Sequence, residues 1–200
     1  MLGVHRIVEA HAAVRGDEAA LIGAGGVITY RELNQRSNAL ARYLIDQGLR
    51  RGSRAVVKME GGPALAVALL AVLKAGAAYM WLDVDEDDAW PRGISLVGGS
   101  DDARSQPPVV VGVGEALEAS SRSAPNLPIL TRGQDIACVM PQRNGHPGVL
   151  VPHSTIAALQ SHPRPASSCW SCEPGTLDLW IPLMAGVPVM LTAGAEAAAA

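Results

Sequence analysis

Cys169 and Cys172 stand three positions apart as a C-x-x-C, a spacing that in other settings makes a redox dithiol or one half of a zinc site. A tetrahedral zinc site needs four ligands, and His162 is the single further candidate nearby. Together with Cys138 the cysteines are an odd set of three. They read as free thiols rather than disulfides or a metal centre. The acidic run DVDEDD, Asp83 to Asp88, invites a cation. It lacks the glycine and closing glutamate of a calcium loop, so it reads as a solvated turn. Lys58 and Lys74 are the only lysines, and both lie in strand- or helix-like surroundings rather than in a loop that could present an ammonium to a reacting group.

The elements that would position such groups alternate between strand and helix. Thr29 and Glu32 form T-x-x-E, a capping box, and Leu33, Ala41, Leu44 and Ile45 share one stripe of the helix that follows, with Gly48 at its end. Arg54 to Met59 is rich in β-branched residues. Gly61, Gly62 and Pro63 then turn that strand into a helix ending near Gly76. Ala78 to Leu82 reads as the next strand, so a strand, a helix and a second strand follow one another as a parallel crossover requires. The predicted fold class is therefore α/β, with parallel-sheet layers and flanking helices. Val109 to Val113 and Asp135 to Met140 read as strands, Ser154 to Gln160 and Thr176 to Gly186 as helices, and Val187 to Leu191 as a strand. No internal repeat is present.

Three stretches follow from this pattern: residues 1–100 as a first α/β half, 101–134 as a loosely ordered connection rich in Ser, Pro and Arg, and 135–200 as a second segment. With 200 residues, 48% apolar and 18% charged, the chain can bury a substantial core. A net charge of -3 without a Lys/Arg cluster argues against nucleic acid as a partner. Pro63 to Leu73, the longest apolar run, is too short for a bilayer. No secretory leader is visible, and a cytoplasmic location is expected.

Several segments carry a resemblance in order and at plausible spacing. They are Val4 to Val57, then ALLAVLKAGAAYMWLD from Ala68 to Asp83, then AWPRGI from Ala89. The chain resembles the N-terminal part of the amino-acid adenylation domains of nonribosomal peptide synthetases, within the AMP-dependent synthetase and ligase (adenylate-forming) family. Val84 stands where that family usually has proline.

The resemblance implies an ATP-phosphate loop after the strand Asp135 to Met140, with the family pattern Y-T-S-G-S-T-G-x-P-K-G. Such loops work through glycines that allow close backbone approach, inward N–H groups and a cation. Here the chain reads PQRNGHPG from Pro141 to Gly148, without hydroxyls or lysine. Gly145, Pro147 and Gly148 are the remnant of the nucleotide-binding loop. Arg143 and His146 are substitutes only if they are more than solvated loop residues, and His153 reads as a surface or internally satisfied histidine. Glu173 aligns with the aspartate that holds the substrate's amino group in the family, with Cys172 at the neighbouring aromatic position, and Trp180 reads as core packing. The family's catalytic lysine has no counterpart, so no catalytic residue is assigned.

Each hydrogen bond to a charged phosphate is worth roughly 1.5–3 kcal/mol, so losing several predicts nucleotide binding weaker by orders of magnitude. The expected role is a degenerate adenylation-like domain in nonribosomal peptide or hybrid natural-product biosynthesis, without adenylating activity or cofactor, with a structural or protein-interaction role that engages a protein partner or itself. Two alternatives are half of a split adenylate-forming enzyme using ATP and magnesium, and an amino-acid-binding remnant around Glu173.

Overall fold

The computed structural model describes residues 3–23, 25–82, 93–97, 109–112, 114, 118, 123–128, 131–140, 148–159, 168–170 and 177–191. Helix α1 (Val4–Val14) leads into the hairpin β1 (Ala19–Gly23) and β2 (Gly26–Thr29) and the long α2 (Tyr30–Asp46). The capping box at the head of α2 is formed: the Glu32 N–H donates to Thr29 Oγ1 at 3.2 Å, and the Thr29 N–H to Glu32 Oε2 at 2.9 Å. Gly48, at φ +112°, follows the helix in a conformation glycine adopts without strain.

Strand β3 (Arg54–Lys58), helix α3 (Pro63–Lys74) and strand β4 (Ala78–Leu82) come next. β3 and β4 pair in parallel from Arg54 with Ala78 to Lys58 with Leu82, as their sequence order predicts. Every residue of α3 from Leu65 to Lys74 is buried. The helix lies between the sheet and the α1–α2 pair, which explains why its sequence is apolar on all sides.

Six strands run in the order β6-β5-β3-β4-β7-β8, where β5 is Gly93–Val97, β6 Val109–Val111, β7 Ile136–Met140 and β8 Val149–Pro152. The centre β3-β4-β7 is parallel, whereas β5, β6 and β8 add antiparallel strands outside it. A second sheet, β2-β1-β10-β9, joins the hairpin to β9 (Ser168–Trp170) and β10 (Val189–Leu191). Helices α4 (His153–Ala158) and α5 (Leu177–Ala185) pack against each other and against α1. The architecture is the α/β one expected, with mixed rather than wholly parallel sheets. β5 and β8 were not anticipated: β5 pairs with β3 about forty residues earlier, and β8 follows β7 in a hairpin whose turn carries no short two-residue signal.

Of the connection 101–134, β6 lies at the sheet edge. Ala124, Pro125 and Asn126 are hydrogen-bonded to Asn38, Arg42 and Asn34 of α2. Among the described residues, no helix is long and apolar enough to cross a membrane.

Candidate functional site

The adjacent parallel strands β4 and β7 deliver their C-terminal ends to one edge of the sheet, where open α/β sheets generally bind ligands. Gly145, Pro147, Arg143 and His146, in the segment leaving β7, lie outside the described residues, as do the acidic run after β4 and Glu173 with Cys172. Gly148 is described, and its surroundings are informative. A β-carbon there would stand 2.7 Å from Val139 Cγ1 and 3.0 Å from the Met140 carbonyl oxygen. Both neighbours are in β7, and Met140 pairs with Val149. Glycine at 148 is thus required by close approach of two antiparallel strands, a packing reason independent of any phosphate.

Among the described residues, neither lysine stands beside the end of β7. Lys58 ends β3, two strands and so about 10 Å from β7 by ordinary strand spacing. It is only 6% exposed and already has a partner. Lys74 belongs to another layer: its Nζ donates to Glu9 Oε1 and to Asn34 Oδ1, both at 2.7 Å. Burial pushes the Lys74 ammonium down to about 8, with Glu9 opposing the shift. The described residues flanking the loop, Val139, Met140, Gly148 and Val149, carry neither a hydroxyl nor a charge.

The base of the hairpin is held firmly. The Asp135 carboxylate accepts from the Arg132 N–H at 2.9 Å and from Arg51 Nη2 at 3.1 Å. Partial burial works against its ionisation, yet those two donors hold its carboxyl below the usual range. The Asp135 carbonyl accepts the His153 N–H at 3.0 Å, which starts α4. His153 itself is 1% exposed, and its Nδ1 accepts the Val4 N–H at 3.2 Å, so it is an internally satisfied histidine. The bond assigns the ring proton of the neutral form to Nε2.

His5 packs edge-on against His153, centroids 5.8 Å apart. Burial, then the neighbouring His153, Lys74 and Arg6, push His5 down to about 3; burial pushes His153 down to about 4 despite Asp135. This pair was not legible in sequence, because its members are 148 positions apart. The buried Lys74 had one local signal, a lone cation inside an apolar helix.

Trp180 is wholly buried, and its Nε1 donates to Tyr79 Oη at 2.7 Å, which makes it a core residue. The helix that carries it, α5, ends in carbonyls that accept side chains from the N-terminal helices. Tyr30 Oη donates to the Leu183 carbonyl at 3.0 Å, and Arg15 Nη2 to that of Gly186 at 3.1 Å. These bonds satisfy acceptors that a helix end leaves open. They anchor the last strand and helix to the first two helices.

Cys138 is 2% exposed and in no disulfide; the side chains of the C-x-x-C lie outside the described residues. Among the described residues, no group of three or more His, Cys, Asp or Glu could hold a metal.

With this geometry in hand, similarity to known proteins is specific. Residues 8–89 match the AMP-binding enzyme family. Surfactin synthase subunit 2 of Bacillus subtilis (strain 168) is 32% identical over 176 residues, covering 79% of this chain and 5% of that protein. Bacitracin synthase 3 of Bacillus licheniformis is 39% identical over 82 residues, covering 41% of this chain and 1% of that protein. The Klebsiella oxytoca NpsA N-terminal subdomain superposes with a TM-score of 0.74 at 24% identity, over 96% of this chain and 55% of that one. The same subdomain in complex with 3-hydroxyanthranilyl-AMSN gives 0.75 at 22% identity, over 96% and 54%. The chain thus spans about half of that subdomain and a few per cent of the curated relatives.

Proposed function

Since this chain is the counterpart of the N-terminal part of a nonribosomal-peptide-synthetase adenylation domain, related to AMP-binding enzymes, we propose that it is a degenerate version that does not adenylate and serves as a structural or protein-interaction element. The observation that carries this reading is the segment from Pro141 to Gly148, which lacks the hydroxyls and lysine of the family loop. The tight seat of Gly148 against β7 supports it, because the one described glycine of the remnant has a structural reason to be there.

An interaction role is supported by the edge strand β8. Val149 is 46% and Leu150 48% exposed, on opposite faces of a strand that lies at the edge of the sheet among the described residues. Edge strands with exposed apolar side chains are surfaces for pairing. The partner envisaged is another domain of a natural-product assembly system or a second copy of the chain.

Calorimetric titration of the purified chain with magnesium ATP is the test. No heat of binding at millimolar nucleotide is expected. Saturable micromolar binding would overturn the proposal in favour of the split enzyme, in which another chain completes the site. That reading further requires amino-acid-dependent pyrophosphate exchange once the second chain is added. The amino-acid remnant is tested separately: if amino acids bind, Glu173→Gln must abolish binding, and unchanged affinity removes Glu173 from consideration.

A further inference from the structure

Helix α1 carries no cap of its own: Gly3 stands at its N-cap position, and no side chain there accepts from the first turn. The acceptor comes from across the fold. His153 Nδ1 takes the N–H of Val4, the first residue of the helix, at 3.2 Å. His153 is itself fixed, since its own N–H donates to the Asp135 carbonyl and His5 leans edge-on against its ring. The first turn of α1 is thus tied to the head of α4 by a bond that exists only while His153 Nδ1 carries no proton.

The rest of α1 is held differently. Glu9 pairs with Lys74 of α3, His11 Nε2 meets the Met184 carbonyl at 2.8 Å, and Arg15 Nη2 donates to the Gly186 carbonyl at 3.1 Å. None of these bonds involves His153, and a proton on His11 leaves its bond intact, because a carbonyl only accepts. The helix therefore has two attachments, residues 9–15 on α3 and α5 and residues 3–8 on α4.

We propose that His153 is an acid-released latch for the first turn of α1: a proton on Nδ1 sets two donors face to face, its own N–H and that of Val4, and residues 3–8 leave α4 while the rest of the chain stays folded. The surroundings favour release over protonation in place. Burial comes first in lowering both rings, to about 3 at His5 and about 4 at His153; His153, Lys74 and Arg6 add to it at His5, and Asp135 opposes it at His153. Asp135 is already shared with Arg51 and the Arg132 N–H. Of the other elements packed on α4, α5 brings Asp178 in its first turn and β8 brings no charge. The seated turn thus keeps both rings neutral, and the released turn, with both near the ordinary 6.5, takes up two protons as pH falls below that value.

The test is backbone hydrogen exchange of the intact chain at pH 6 and pH 5, corrected for the intrinsic rates and read at Val4 and Val8 of α1 and at Leu69 of α3. Opening at Val4 and Val8 should grow about sixtyfold over that unit, the factor for two released rings, while Leu69 keeps its protection. His153→Asn, which retains an acceptor and cannot titrate, should cut the growth to about eightfold, the factor for one ring. In the parent chain at pH 7, imidazole ¹⁵N spectra should show the His153 proton on Nε2. A proton on Nδ1 at pH 7, equal growth in parent and variant, or Leu69 opening in step with Val4 would each overturn the proposal.

Discussion

The helical layer α1–α3 and the hairpin β7–β8 are parts of one fold, yet they are finished to different degrees. In the layer, even charge is buried and matched: Lys74 meets Glu9 and Asn34, both at 2.7 Å. In the hairpin, apolar residues of the edge strand are left in solvent. Matched buried polar groups commit elements to one another, because separating them strands a charge. Exposed apolar side chains on an edge strand make no such commitment. The helical layer is thus fixed in one arrangement by its own polar contacts, whereas the described edge strand is not.

The largest effect should come from breaking the layer. Glu9→Ala leaves Lys74 buried without its anion and should cost about 3–5 kcal/mol in urea unfolding at pH 7. Removing both charges in Glu9→Gln with Lys74→Met should recover most of the loss. The deficit also has a pH signature. Lys74 has a folded pKa of about 8 against the ordinary 10.5, so as pH rises toward 10 it gives up its proton more readily in the folded chain. The Glu9→Ala deficit should therefore shrink at pH 10; a deficit independent of pH would mean that lost packing, not charge, is the cause.

Acid should act on the seam where the layer meets the hairpin. His5 and His153 have folded pKa values of about 3 and about 4, below the unfolded 6.5. The stability they contribute is fully present above pH 6.5 and is lost as pH falls toward 4 and 3, because the unfolded chain takes up the protons first. By pH 5 the loss should be about 2 kcal/mol per ring. His153→Asn keeps an acceptor for the Val4 N–H and cannot titrate. It should remove about half of the acid sensitivity measured by denaturation at pH 7 and pH 5.

What was legible in the sequence follows the same division. The capping box at Thr29, the β3-α3-β4 unit and the burial of Trp180 all rest on local spacing or residue type, and the structure bears them out. β5 and the His5–His153 contact depend on chain segments meeting across long separations, where no local pattern identifies the partner. For the candidate site, the sequence supplied the missing hydroxyls and lysine. The packing reason for Gly148 needed the strand pairing. A methyl group there must displace Val139 or the Met140 backbone, so Gly148→Ala should cost about 1–3 kcal/mol by chemical denaturation. A neutral outcome would free Gly148 from its structural role and return it to the nucleotide reading.

The smallest effect on stability, and the sharpest on the comparison, should come from the exposed edge. Leu150→Lys replaces a half-exposed apolar side chain with a charge that stays in water, so unfolding free energy should change by no more than about 0.5 kcal/mol. If β8 is the surface that engages a second copy, light scattering should show self-association in the parent chain and its loss in the variant, since a lysine on an edge strand opposes strand pairing. A parent chain that stays monomeric at high concentration would leave β8 to a different partner. Self-association that survives Leu150→Lys would place the contact elsewhere and remove the edge from the argument, although the helical layer would remain as described.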